Sequence, residues 1–315
     1  MGTEFRQRAS LKEKLATHYH SRNFTVPPQS ATKGGLSMTG VMVVTLFLEG
    51  VFILLPGLYR AQAEGEEART GWFGEGYWLA LLVVVFTWVE TVWNWWRTYY
   101  DVANYVRKET KQTYFGQTME TPPGWKSCPT CQVDAPPRSH HCNHCGHCIL
   151  KRDHHCFFTG SCIGFYNQRH FVMFCVYVIW GCMLALYLQL SYLNLSLPIA
   201  ETFYTYIAPV TIVQFLTGNL SLWTFLLLIH VYATVVFMCV AIFFLTWQLV
   251  IIIRGQTSYE AWKMIRIYDT GLWGNITSVF GSPVWSWALL FAPLMLPMGG
   301  DGVKWNIKAK PDKGH

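Results

Sequence analysis

Between Cys128 and Cys162 the chain reads CPTCQVDAPPRSHHCNHCGHCILKRDHHCFFTGSC. This segment holds seven of the ten cysteines and six of the eleven histidines. Thiols packed so densely are disulfide-bonded, metal-bound or reactive, and an odd number leaves one over if they only pair. Cys128–Cys131, Cys142–Cys145 and Cys145–Cys148 are CxxC steps, a spacing that lets two thiolates meet one tetrahedral ion. Two ions need eight ligands. Cys128, Cys131, Cys142, Cys145, Cys148 and Cys162 offer six, and His141 and His155 can complete the set. Cys156 is then surplus, and it directly follows Asp153-His154-His155.

The rest of the chain is apolar: 52% of its 315 residues are hydrophobic and only 13% charged, about half the charge of a typical soluble domain. Four runs are long enough to cross a bilayer, near 38–59, 76–97, 170–193 and 222–253. The fourth is longer than a crossing requires, so it is expected to tilt or extend past the bilayer. Trp93, Trp95, Trp96 and Arg97 mark an interface at the end of the second run. No internal repeat and no cleavable leader is evident, because the first apolar run follows a long polar stretch.

Loop charge sets an expected orientation. Glu64, Glu66, Glu67 and Glu75 outnumber Arg60 and Arg69 after the first span, and 194–221 carries Glu201 and no Lys or Arg. Segment 98–169 carries Arg107, Lys108, Lys111, Lys126, Arg138, Lys151, Arg152 and Arg169, and the tail after 253 is also rich in cations. The positive-inside rule puts both termini and the cysteine-rich segment in the cytosol. Reduced thiols point to the same compartment. Five units are expected: a polar, basic tail over 1–37, a helix pair over 38–97, the cysteine-rich domain over 98–169, a second helix pair over 170–253 and a cytosolic region over 254–315. The sequons at Asn194 and Asn219 fall in the non-cytosolic loop but close to span ends, where use is doubtful. Glu49, Glu90 and His230 lie within apolar runs and read as hydrogen-bonding groups of a bundle interior. Cys175, Cys182 and Cys239 read as inert packing residues. The run 284–297, flanked by Pro283 and Pro297, is too short to span and is expected at the interface or packed on the domain.

CPTC, PPRSHHC, LKRDHHC and the following CIGxxNxRxF resemble the cysteine-rich domain of the DHHC protein S-acyltransferases (palmitoyltransferases). The resemblance implies an all-α membrane protein with four transmembrane helices and a cytosolic two-zinc domain between the second and third. It implies one structural Zn²⁺ on Cys128, Cys131, His141 and Cys148, and a second on Cys142, Cys145, His155 and Cys162. Cys156 falls on the family's acyl-accepting nucleophile, with His154 as base and Asp153 as orienting carboxylate. That chemistry suits the residue types: a free thiol is only a few per cent thiolate at neutral pH, and a neighbouring His held by an Asp can take its proton. Acyl-CoA (palmitoyl-CoA) is the implied cosubstrate. Membrane-associated proteins bearing cytosolic cysteines are the implied acceptors, with a Golgi or endoplasmic reticulum location.

The tail extends the likeness. Arg254-Gly-Gln-Thr-Ser-Tyr-Glu260 resembles the family's TTxE motif, with Thr257 and Glu260 matching and Ser258 keeping the second hydroxyl for a bond to Asp153. Asn275 matches the polar anchor of a C-terminal motif. Arg138, His140, Lys151, Arg152 and Arg169 are candidates to meet CoA phosphates, a basic face against anionic lipid being an equal alternative for most of them. Gly181, about eleven residues into the third span and roughly 16 Å deep, stands where some relatives carry a bulky aromatic, so it is a candidate lining residue for the acyl chain. The chain departs from the usual pattern at Phe157-Phe158, in place of Pro-Trp, and at Gly160-Ser161, in place of Asn-Asn. These departures keep a second reading open, a catalytically silent membrane scaffold that uses the zinc module for binding. A nucleic-acid-binding finger is excluded, since four spans anchor the module and its cations alternate with acids.

Overall fold

A computed structural model describes residues 33–65, 75–100, 102–118, 120–281 and 298–307. The tail before 33, the acidic stretch 66–74 and the apolar run 284–297 lie outside these described residues.

Four helices are long and apolar enough to cross a membrane: Ser37–Ala61, Gly76–Tyr100, Gln168–Ser196 and Leu222–Ile253. The first is composite. Helix α1 (Lys33–Glu49) passes through a π-helical turn, Gly50–Leu54, into α2 (Leu55–Gly65). The ladder widens there because Pro56 has no N–H to give, and Leu55 N–H reaches back five residues to Gly50 O. Helices α3 (Glu75–Tyr100), α5 (Gln168–Ser196) and α8 (Leu222–Ile253) complete the bundle. Their apolar residues run all around with almost no polar stripe, as suits helices facing lipid outside and each other inside. Between α3 and α5 lie a short α4 (Lys108–Phe115) and the cysteine-rich domain. After α5 the expected plain loop is instead structured: α6 (Ile199–Thr202), a 3₁₀ turn and α7 (Ala208–Leu216), with a 92° bend between the last two. The apolar stretch IAPVTIVQFL explains it, since such residues bury themselves more readily in a helix than in an open loop. Asn194 sits in the last turn of α5, where its side chain accepts the Ile199 N–H at 2.9 Å.

Three two-stranded antiparallel hairpins make up the cysteine-rich domain: β1 (Lys126–Cys128) with β2 (Val133–Ala135), β3 (His140–Cys142) with β4 (His147–Ile149), and β5 (His154–Cys156) with β6 (Ser161–Ile163). All are built to one plan. The first strand ends on a cysteine, three residues later comes a second side chain aimed back at it, and the next residue turns left-handed. That residue is Gln132 (φ 53°), Gly146 (φ 69°) and Gly160 (φ 65°) in the three hairpins. The second side chain is Cys131 in the first hairpin, Cys145 in the second and Thr159 in the third. Three-residue strands carry no periodic signal, so the pattern of thiols announced the domain but not its hairpins.

Polar contacts fasten this domain to the bundle. Asn167 donates to the carbonyls of Thr98, at the end of α3, and Cys162, both at 2.9 Å. The Ser161 hydroxyl donates to the same Thr98 carbonyl at 3.0 Å. From the other side, α8 ends on a left-handed Gly255 (φ 63°), whose added Cβ would lie 2.6 Å from Asn275 Oδ1. Asn275, in α10 (Leu272–Phe280), donates to the Ile253 carbonyl at 2.8 Å and so closes the end of α8. Helix α9 (Ser258–Trp262) then opens on a capping box between Thr257 and Glu260.

Glu260 also holds Arg138 through a two-pronged ion pair, at 2.8 and 2.7 Å, with side chains 3% and 5% exposed. The guanidinium donates to Gly255 O at 3.0 Å and lies between the Tyr268 and Trp305 rings, 4.4 and 4.3 Å from their centroids. Removing one partner strands a buried charge. Glu260→Ala is therefore expected to cost on the order of 3–5 kcal/mol, seen as a drop of several degrees in the melting temperature of the detergent-purified protein. An unchanged melting temperature contradicts this account of how domain and tail are joined.

Candidate metal and thiol centre

The hairpin turns bring the ligand-type side chains into two groups: Cys128, Cys131, His141 and Cys148, and Cys142, Cys145, His155 and Cys162. Within each group the four ligand atoms lie within 4.8 Å of one another. His141 Nδ1 lies 3.7 and 3.1 Å from the sulfurs of Cys128 and Cys131. His155 Nδ1 lies 3.7, 3.3 and 3.7 Å from those of Cys142, Cys145 and Cys162. Bonds of about 2.3 Å to sulfur and 2.0–2.1 Å to nitrogen put tetrahedral ligand atoms roughly 3.5–3.8 Å apart, so both groups fit an ion of that kind. The two are interleaved along the chain, because the second hairpin gives strand residues His141 and Cys148 to the first group and its turn, Cys142 and Cys145, to the second, while strand residues His155 and Cys162 of the third hairpin complete the second group. Cys142 and Cys148 lie on paired strands yet belong to different groups.

Cys156 belongs to neither group. It occupies the first-cysteine position of the third hairpin, and Thr159 stands where the other two hairpins carry a second ligand. One sulfur and a hydroxyl make no metal site, but the turn keeps what a thiolate wants. The Thr159 backbone N–H and hydroxyl face the Cys156 sulfur, as the Cys145 N–H faces Cys142. Cys156 is 1% exposed. Burial alone would raise its pKa, but the interaction with His154, then that with Thr159, reverses this and holds the thiol below its ordinary range.

His154 Nδ1 is 2.8 Å from Asp153 Oδ2. Asp153 takes further hydrogen bonds from the Ser258 backbone N–H (2.5 Å, to Oδ1) and from Gln248 Nε2 (2.7 Å, to Oδ2). The Ser258 side chain adds to this support, and its oxygen accepts the Trp247 indole N–H at 2.8 Å. Burial works to raise the Asp153 carboxyl, but the bonds from His154 and Ser258 hold it down at about 2. An ionised carboxylate only accepts, so Nδ1 carries the His154 proton toward it and Nε2 is left for the thiol. Nε2 is buried with no other hydrogen-bonding partner. Burial disfavours an imidazolium, yet the bond to Asp153 and the proximity of Cys156 lift His154 to about 9. Both shifts favour a thiolate facing an imidazolium.

Around the sulfur the surface is apolar: Phe171, Phe174, Cys175 and Val178 from α5 and Phe237 and Ala241 from α8 pack with it. His154 stacks on Phe244. Phe158 holds its place against Phe244, 5.9 Å away, and its carbonyl accepts the Thr39 hydroxyl at 2.8 Å. From this cluster Val178, Cys182, Phe237 and Leu46 continue into an apolar cavity among all four spans. Gly181 lines it opposite α3, where an added Cβ would come to 3.3 Å from Thr87.

The expected cations are differently placed. Arg138, Lys151 and Arg169 are buried. Lys151 donates to Gln168 Oε1 at 2.9 Å, and burial, then the Arg138 charge, pushes its pKa down to about 7. Arg152 interacts with the Cys162 and Cys142 sulfurs. His140 is half-buried and packs at a tilt against Tyr259, with Lys126 and Arg152 close enough to lower its pKa after burial has done so. Thr159, Gln168 and Gln248 are site residues that sequence reasoning missed. The only signal for Thr159 was its offset of three from Cys156, the same as in the CxxC steps. The glutamines stood out only as amides in apolar runs.

A bundle of four span-length helices, a two-site Cys/His domain and a buried thiol backed by His and Asp define a membrane-anchored protein of thiol chemistry. A sequence profile described as DHHC palmitoyltransferase matches residues 122–265. Curated relatives include palmitoyltransferase ZDHHC22 of Danio rerio, 38% identical over 53% of this chain and 64% of that protein. Probable palmitoyltransferase ZDHHC24 of Rattus norvegicus is 35% identical over 57% of this chain and 63% of that protein, and its Homo sapiens counterpart 34% over 61% and 67%. The chain thus spans just under two thirds of the length of the first two relatives. It belongs to the DHHC palmitoyltransferase family.

Two metal ions per chain are expected by elemental analysis, with Cys156→Ser keeping both. Cys131→Ser or Cys145→Ser is expected to lose metal and folded protein together, since a structural site contributes folding energy. Loss of an ion from Cys156→Ser would contradict the ligand assignment.

Proposed function

We propose that this chain is a protein S-acyltransferase. The Cys156 thiolate attacks the carbonyl carbon of a long-chain acyl-CoA. The bond to the CoA sulfur breaks, and CoA departs as the thiol with the proton held on His154 Nε2. An acceptor cysteine then gives its proton to the now neutral His154, its sulfur takes the acyl group, and Cys156 leaves as thiolate. Asp153 holds the tautomer and balances the imidazolium throughout. The observation that carries the reading is Cys156, outside both ligand groups and backed by His154 and Asp153, in an apolar cluster whose Val178, Cys182 and Phe237 also line the cavity. Zinc is the ion the two ligand groups suit best, and its contribution is rigidity of the three hairpins. The cavity would take the acyl chain, at about 0.8 kcal/mol for each CH₂ buried. For the CoA phosphates, exposed Lys126 with His140 and Arg152 forms the available cationic edge; Arg138, Lys151 and Arg169 are occupied inside the fold. Acceptors would be membrane-associated proteins with cytosolic cysteines, reached from a cytosolic face that also carries both termini, in Golgi or endoplasmic reticulum membranes.

With alkyne-tagged palmitoyl-CoA, wild type is expected to take a hydroxylamine-labile label and Cys156→Ser none. His154→Ala is expected to keep its metal and slow labelling by about 10²–10⁴; a wild-type rate in that variant removes His154 from the mechanism. Chain length offers a second test. Gly181→Tyr, which fills the cavity against Thr87, is expected to shift donor preference from stearoyl-CoA toward shorter chains, and an unchanged preference would show that Gly181 does not bound the acyl site.

A further inference from the structure

Three amide and amine side chains form a line of hydrogen bonds that ends on the Asp153 carboxylate. Lys151 Nζ donates to Gln168 Oε1 at 2.9 Å, Gln168 Nε2 donates to Gln248 Oε1 at 2.9 Å, and Gln248 Nε2 donates to Asp153 Oδ2 at 2.7 Å. All four residues are buried, with exposures of 4%, 2%, 0% and 6% in that order. They come from three places: the connection between β4 and β5, which carries both Lys151 and Asp153, the first residue of α5, and the last turns of α8.

The direction of this line is fixed by its ends. An amide side chain can be turned either way, with oxygen and nitrogen exchanged, unless its partners decide. Lys151 has N–H to give whether it is ammonium or amine, and it meets Gln168 at oxygen. Gln168 then presents its NH₂ group to Gln248, which must answer with its own oxygen. Gln248 is left to present NH₂ to Asp153, and an ionised carboxylate only accepts. Every bond in the line agrees with this polarity, and a single reversed amide would leave two buried oxygens facing each other.

We propose that Lys151, Gln168 and Gln248 are positioning residues for the transfer reaction, holding the Asp153 carboxyl turned so that its Oδ2 receives His154 Nδ1–H. The carboxylate has two oxygens and one rotatable bond to settle. Ser258 fixes Oδ1 from the side of α9, but one anchored oxygen leaves the plane of the group free to rock. Gln248 anchors the oxygen that His154 uses, so the plane is set by two elements, α8 and α9, that the chain separates from the hairpin by about a hundred residues. The same bond ties Cys156 chemistry to the packing of α5 against α8, which wall the cavity. This inference rests on the acyl-transfer reading for its kinetic consequence, but the geometry of the thiol can be tested without it.

The test uses full-length protein with metal content measured for every variant. Two rates are read: self-acylation by palmitoyl-CoA, and alkylation of Cys156 by iodoacetamide at one fixed pH, followed by peptide mass spectrometry. Gln248→Leu keeps the volume and removes the donor. Its expected effect is a fall of roughly 10- to 100-fold in kcat for self-acylation, the scale of a lost hydrogen bond to a charged group. KM for palmitoyl-CoA should hold within about twofold, and alkylation should slow in parallel. In an Asp153→Asn background, Gln248→Leu should add little further loss, because both changes break one unit. Gln248→His, which restores an N–H donor at similar reach, should recover much of the rate. Gln168→Leu, two bonds from the carboxylate, should give a smaller fall that does not multiply with that of Gln248→Leu, and it serves as the reading if Gln248→Leu loses metal. Wild-type rates in Gln248→Leu and Gln168→Leu, or losses that simply multiply with Asp153→Asn, overturn the proposal. Absence of self-acylation in wild type, with alkylation still slowed by Gln248→Leu, overturns the transferase reading and leaves the positioning role standing.

Discussion

The Asp153 carboxylate is the point on which the arrangement turns. It is nearly buried, so it can stay ionised only if its oxygens are met by donors. The donors come from three separate parts of the chain: His154 beside it in the hairpin, Gln248 in the last span and Ser258 at the head of the helix after that span. A charge that needs all three holds the cysteine-rich domain, the bundle and the C-terminal region in one relative position. The Arg138–Glu260 pair repeats the logic a short distance away, with the cation on the domain and the anion on the tail. These buried ionic contacts do little for net stability when compared with apolar packing, but they are intolerant of misplacement. Intolerance of that kind is what a thiol, an imidazole and a substrate carbonyl require of their support.

The three hairpins show how one local plan yields two kinds of centre. A cysteine, a left-handed turn residue four positions on and N–H groups aimed at sulfur recur in each. Where the third position after the cysteine is again a cysteine, two thiolates are available and metal ligation follows. Where it is Thr159, the sulfur keeps the turn's donors without the competing ligand. Such a thiolate is stabilised but uncommitted, which is the state a nucleophile needs. The rigid neighbours on either side fix its position, and the apolar spans above it line the cavity that the proposed reaction would use for an acyl chain.

Much of this was legible in the sequence, and the physical reasons differ from one part to the next. The spans could be read because crossing a bilayer demands about twenty apolar residues in a row, and the observed helices differ from the expected ranges by a few residues at their ends. The groups of candidate metal ligands were visible because CxxC steps are local. The structured stretch 199–216 was not, since an apolar segment broken by Pro198 and Pro209 fits a loop as well as a bent helix pair. The fates of Arg138 and Lys151 were hidden for a different reason. A lone cation in a sequence reads as a surface charge, and Arg138's partner lies 122 residues further on. Gln168 and Gln248, 80 residues apart, meet only because α5 and α8 pack side by side. Charge pairing and amide networks across the fold carry no local pattern, so they emerge only with coordinates.

The central claim is that each of the two ligand groups takes one ion through three sulfurs and one nitrogen, while Cys156, in the turn of the third hairpin, touches neither ion. X-ray absorption at the zinc edge of the purified protein tests it most directly. An average first shell of three sulfurs at about 2.3 Å and one nitrogen near 2.0–2.1 Å, unaltered when Cys156 is alkylated or acylated, is the expected result. A shell richer in sulfur, or one that changes when Cys156 is modified, would place Cys156 on the metal and contradict the claim.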